Sequence, residues 1–150
     1  MSDSVTACGG KDTVVRACIG ALLSNQTGID TSSSVQAALW RAYPGGPNEL
    51  DGNLDSHPVA TKAILQPAGF TESRFSFIKE LIDRVKLLDP TADVDSALEN
   101  LRARDPSDAM HELLKFKGIG EKLAACVLSF TCKHPWLAVD SNVANMAQKL

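Results

Sequence analysis

The stretch Leu113-Leu114-Lys115-Phe116-Lys117-Gly118-Ile119-Gly120-Glu121-Lys122-Leu123-Ala124 decides how the rest of the chain is read. Upstream of it, Pro106-Ser107-Asp108 has the residue types that open a helix, and Met110, Leu113 and Leu114 give that helix an apolar face. Downstream, Leu123, Ala124, Val127 and Leu128 repeat at helical spacing. Between the two, Gly118 and Gly120 permit a sharp reversal where a side chain would clash. The pattern predicts helix, tight turn, helix.

A glycine turn between helices is by itself only a way to reverse the chain. Two neighbours point to chemistry: Lys122 stands in the first turn of the following helix, and Asp140 comes eighteen residues later, with Ser141, ahead of a helical pattern at Val143, Met146, Ala147 and Leu150. Such a turn can aim backbone N–H groups and the positive end of a helix dipole at a phosphate, so anion binding there does not require a basic protein. The helix N-terminus and partial burial are together expected to lower the pKa of Lys122 and leave a neutral, nucleophilic amine. Asp140 and Ser141 are both good N-cap residues for the helix that follows them.

Working outward, residues 14–23 are apolar almost throughout, as in a buried helix, with Gly28 and Asp30 as its stop. Ser32, Ser33 or Ser34 then caps a second helix carrying Val35, Leu39 and Ala42, closed by Tyr43-Pro44-Gly45-Gly46-Pro47. A polar loop and a short helix at residues 59–65 lead to the turn Pro67-Ala68-Gly69-Phe70, which presents one aromatic between helix breakers. Ile78, Leu81, Ile82 and Val85 mark one buried stripe on a longer helix that Asp89-Pro90 ends, and a short helix is expected near residues 95–101. No alternating strand or repeat interrupts this series, so the fold class is all-α.

Composition bounds the partners. A chain of 150 residues with 44% hydrophobic content can bury one core. No apolar run is long enough for a membrane span and no secretory signal opens the chain, which gives an intracellular expectation, nuclear in a eukaryote. The net charge of −3 and pI near 5.5 exclude a protein that coats nucleic acid nonspecifically. The charge is uneven, however: residues 93–108 are acid-rich, while Lys115, Lys117, Lys122 and Lys133 face only Glu112 and Glu121 in the later stretch. Cys8, Cys18, Cys126 and Cys132 lack zinc or iron–sulfur spacing and are expected to be free thiols, Cys18 and Cys126 among apolar residues. The three histidines read as structural.

The stretch at residues 113–124, followed by Val139-Asp140, resembles the helix-hairpin-helix of the endonuclease III superfamily of DNA glycosylases. Leu22-Leu23-Ser24-Asn25-Gln26-Thr27 resembles that family's Leu-Ser-x-Gln-Thr segment, and Gly69-Phe70, with Arg74 and Ile78 beyond, resembles its Gly-Leu wedge turn. The resemblance implies a helix-hairpin-helix DNA glycosylase domain over residues 1–150, with the hairpin at 113–128 and residues 140–150 as the first helix of an otherwise truncated second domain. It implies that Lys122 and Asp140 are catalytic and that Gln26, Phe70, Gly118, Ile119, Gly120 and Glu121 bind DNA. It also implies a monovalent cation on the carbonyls of Leu114, Phe116 and Ile119; many family members add a four-cysteine iron–sulfur cluster, for which the cysteines of this chain lack the ligand pattern, so no cluster is expected.

The implied activity is excision of flipped-out damaged bases, oxidised pyrimidines by family default, with lyase cleavage at the resulting abasic site. The partner is double-stranded DNA, met by a monomer. The alternative is a noncatalytic helix-hairpin-helix DNA-binding module. Asn142 and Asn145 stand where the family often has histidine and arginine, and Lys117 replaces a common hairpin proline.

Overall fold

The apolar run at residues 14–23 forms a helix, α1 (Val14–Ser24), in which every residue from 14 to 23 except Arg16 is buried. The computed structural model describes residues 13–25, 27–88 and 93–132, and among them every regular element is helical. After α1 come α2 (Ile29–Ala42), α3 (Pro47–Ser56), α4 (Pro58–Leu65), α5 (Thr71–Leu88), α6 (Pro106–Leu113) and α7 (Glu121–Phe130). Short 3₁₀ turns occupy Gln66–Ala68, Val94–Ser96 and Glu99–Arg102. The all-α expectation holds.

Helix α1 runs through the middle, packed against α2, α5, α7 and the 3₁₀ turns after α5. Val15, Ile19 and Leu23 meet a core that includes Leu39, Leu50, Leu65, Leu113 and Leu128. The stripe of Ile78, Leu81, Ile82 and Val85 is buried on α5 as its spacing requires.

A helix enclosed on all sides must find protein partners for its first amides. The Thr13 hydroxyl accepts from Arg16 N at 3.2 Å, and the Glu99 carboxylate accepts from Val14 N at 2.6 Å. Asp95 accepts from the Thr13 hydroxyl at 2.5 Å and pairs with Arg16 at 3.1 Å, while the Arg16 guanidinium lies 5.3 Å from the centre of the Trp40 ring. Glu99 is itself gripped by Arg102 at 2.7 Å, and Arg102 donates to the carbonyl of Thr131 at the end of α7. The acid-rich segment therefore serves as an external cap for α1 and ties it to α7.

Several local expectations are corrected. Gly28 does not end a helix but begins α2, in extended conformation with its carbonyl accepting from Ser32 N, so the serines lie inside the helix and Ser32 is buried. Val35 and Leu39 are buried on α2 but Ala42 is exposed, the burial passing to Tyr43. The expected polar loop is helix α3, opened by Pro47 and anchored by Leu50 and Leu54. Ion pairs from Asp55 to Lys79 and Asp51 to Lys86 fasten its polar face to α5. Residues 95–101 form 3₁₀ turns rather than one α-helix.

On α6 the buried positions are Ala109 and Leu113, whereas Leu114 is 40% exposed. Cys18 and Cys132 are free and buried, and burial pushes the Cys132 thiol up to about 11. Cys126 is half-buried and disulfide-bonded, against the expectation of a free thiol. Cys8, Gln26, Asp89-Pro90 and residues 133–150, with Asp140 and the expected terminal helix, lie outside the described residues.

Glu99→Ala removes the carboxylate that caps α1 and should lower stability by about 1–2 kcal/mol, read from urea unfolding.

Candidate functional site

Pro67 and Gly69 break the chain between α4 and α5. Gly69 takes φ +79°, a left-handed conformation cheap only for glycine, and the next residue, Phe70, takes φ +49°. A phenylalanine held in that region costs on the order of 1 kcal/mol, and it would normally be offset by burying the ring. Here the residue is 66% exposed. The turn thus holds a large apolar side chain out from the surface in a strained backbone conformation.

Arg74, one turn into α5, accounts for how the turn is held. It lies on the same helical face as Ile78, Leu81, Ile82 and Val85 and is 4% exposed. Its guanidinium donates to Gly69 O at 2.7 Å and Ala68 O at 3.3 Å on one side. On the other it donates to Leu22 O, to Asn25 O at 2.8 Å and to Thr27 Oγ1 at 2.6 Å. The Thr27 hydroxyl also reaches Ala68 O at 3.2 Å. Leu22 and Asn25 belong to the C-terminal end of α1, so the guanidinium satisfies carbonyls that would otherwise be orphaned there, at the end of the dipole that favours a cation. No carboxylate among the described residues pairs with it. Its other contact is the Phe70 ring, 5.8 Å from guanidinium carbon to ring centre.

The glycine turn between α6 and α7 approaches the same place. Phe116 and Ile119 insert their side chains into the core, and Ile119 N donates to Phe116 O at 3.1 Å. Gly118 takes φ +90°, and a Cβ built on it would stand 2.8 Å from Phe77 and 3.1 Å from Leu22. That position is closed to any other residue on both grounds. Gly120 precedes α7 in extended conformation with no side-chain cap, and the space where its Cβ would lie is open. Among the described residues, the amides of Gly118 and Gly120 donate to no backbone acceptor.

These segments enclose a cleft of about 180 Å³ lined by Leu22, Asn25, Phe70, Ser73, Phe77 and Gly118, with Arg74 at its base. The end of α1, the Phe70 turn and the glycine turn, far apart in sequence, are thereby brought together. A larger hollow of about 330 Å³ between α2 and α4, lined by Val35, Ala38, Ile64 and Pro67 among others, contains none of the expected site residues.

Of those residues, Phe70 and Gly118 line the cleft. Ile119 is buried, and Gly120 and Glu121 are exposed at the start of α7. Lys122 is exposed in the first turn of α7, so the expected partial burial is not found among the described residues. Leu114 caps α6, its amide bonded to Met110 O, and the Phe116 carbonyl already accepts one hydrogen bond. Gln26 and Asp140 lie outside the described residues. The cleft residues that sequence reading left without a role include Arg74 and Asn25. The signal for Arg74 was a lone arginine on an otherwise apolar helical stripe.

Gly118→Ala should cost about 2–4 kcal/mol, because it adds both a clash with Phe77 and positive-φ strain, measurable as a fall in urea midpoint. Phe70→Asn should leave stability within about 0.5 kcal/mol in the same assay, since asparagine tolerates the backbone conformation and little core contact is lost.

No protein-family model matches the chain. Over 140 residues, 93% of its length, it is 26% identical to a protein of Arabidopsis thaliana that carries the provisional name of a DNA glycosylase. The chain spans 45% of that protein's length. The similarity is long enough to take in every segment that lines the cleft.

Proposed function

We propose that the chain is the hairpin-bearing part of a DNA glycosylase with associated lyase activity, of the endonuclease III type, acting on damaged bases in double-stranded DNA. The observation that carries this reading is the convergence of the α1 end, the strained and exposed Phe70, and the Gly118 turn on one cleft. The likeness to a plant protein provisionally named a DNA glycosylase supports the glycosylase part of this reading. An exposed aromatic beside a cleft suits a wedge that enters the base stack, and amides at a helix N-terminus suit a phosphate. Neither requires the protein to be basic overall, which agrees with its net charge of −3.

In the proposed reaction the damaged nucleotide is rotated out of the duplex, because its C1′ is inaccessible inside the stack. The Lys122 amine attacks C1′, the glycosidic bond breaks and its electron pair leaves with the base, which takes up a proton. The nitrogen then gives up one proton, the C1′–O4′ bond breaks with O4′ taking up a proton, and the opened sugar is held as a protonated Schiff base. Loss of a C2′ proton then breaks the C3′–O bond and releases the 3′ phosphate. Asp140 stabilises positive charge developing on the sugar and accepts a proton from the Lys122 ammonium. Gln26 would fill the space left by the displaced base, and Gly118, Ile119, Gly120 and Glu121 would meet the backbone phosphate.

Oxidised pyrimidines are the proposed substrates, met by a monomer inside the cell. A monovalent cation fits the Leu114, Phe116 and Ile119 carbonyls in chemistry, since they are neutral oxygen ligands of one connection and the Phe116 oxygen keeps a second lone pair. When bound it would add positive charge beside the phosphate.

A noncatalytic DNA-binding module is the second reading, favoured by the exposure of Lys122. Borohydride reduction of the protein mixed with duplex DNA containing an abasic site separates the two. The glycosylase–lyase reading expects a covalent adduct that Lys122→Ala abolishes. Binding without an adduct, indifferent to that substitution, establishes the module instead.

A further inference from the structure

Arg74 does more than cap a helix. Its guanidinium takes acceptors from two chain segments that do not otherwise share a rigid element. Leu22 O, Asn25 O and Thr27 Oγ1 belong to the end of α1 and the segment after it, and Ala68 O and Gly69 O belong to the turn that holds Phe70. A leucine or methionine would continue the apolar stripe of α5 at this position, but it would take the guanidinium donors away from these carbonyls and leave Ala68 O with its bond from the Thr27 hydroxyl. A lysine keeps the charge but presents a single nitrogen, which cannot address both segments as a planar fork does. The residue behind the ring of Phe70 thus holds both the backbone carrying that ring and the backbone at Asn25 and Thr27, beside the single direct bond from Thr27 Oγ1 to Ala68 O.

We propose that Arg74 is a positioning residue that makes the wedge turn and the segment carrying Asn25 and Thr27 act as one rigid unit on DNA. The proposal rests on the glycosylase reading given above. Side chains that pry a base pair apart must not yield when the stack pushes back. If the two segments moved independently, part of the interaction energy would be lost in ordering them. Arg74 acts through Phe70 and its neighbours and need not touch the nucleotide.

The test uses the full chain and a duplex with 2-aminopurine beside an abasic site, whose fluorescence rises when the stack opens. Wild type, Arg74→Lys, Phe70→Ala and the double variant are compared at saturating protein, with melting temperatures measured alongside. Arg74→Lys should lower the unstacking equilibrium about tenfold, in keeping with the cost of misplaced groups. The double variant should fall no further than the worse single variant, since both act on one step. Thr27→Val, which removes one shared acceptor, should give a smaller loss of the same sign and serves if Arg74→Lys does not fold.

Losses that multiply in the double variant overturn the proposal, as does an Arg74→Lys protein that melts earlier yet opens DNA like wild type. A wild-type protein that gives no fluorescence rise overturns the glycosylase reading and this inference together. A wild type that opens the duplex, matched by both the Arg74 and Thr27 variants, overturns this inference alone.

Discussion

A helix with apolar side chains on nearly all its faces gains from finding, inside the protein, partners for the amides at its start and the carbonyls at its end, because burial limits their access to water. Helix α1 meets this constraint with charges of opposite sign at opposite ends. The Glu99 carboxylate sits on its first amide, and the Arg74 guanidinium sits on the carbonyls of Leu22 and Asn25. Each charge lies where the helix dipole favours it. Both come from distant segments, so satisfying α1 dictates where those segments go.

The cleft is a by-product of this arrangement. To bring its guanidinium to α1, α5 must start beside the end of that helix, which places the Phe70 turn there as well. The α6–α7 turn can then approach only because Gly118 has no side chain to meet Phe77 and Leu22. An aromatic, the Gly118 turn and the polar end of α1 end up around one opening as a result of how a buried helix is terminated.

The sequence carried some of this openly and some not at all. Continuous or periodic apolar character marked α1 and the buried stripe of α5, and Gly118 and Gly120 marked the α6–α7 turn. Helix α3 escaped because two leucines four residues apart are too short a stripe to stand out, and its stability is borrowed through ion pairs with α5. The start of α2 was misplaced because serine favours caps, whereas Gly28 in extended conformation does that work here. For the site, the order of the segments was legible but their meeting point was not. Arg74 joins residues 47 to 52 positions away through backbone carbonyls, and carbonyls leave no mark in a sequence.

The remote supply of caps to α1 also bears on how the chain reaches its fold. Helical proteins usually form from contacts close in sequence and do so quickly. Here the most buried helix depends on a carboxylate 85 residues downstream and an arginine 52 residues downstream. Until those partners arrive, its end groups are better served by water than by burial, so α1 gains its stability only as the two halves of the chain close around it. The first helix among the described residues is therefore one whose place is fixed by residues synthesised long after it.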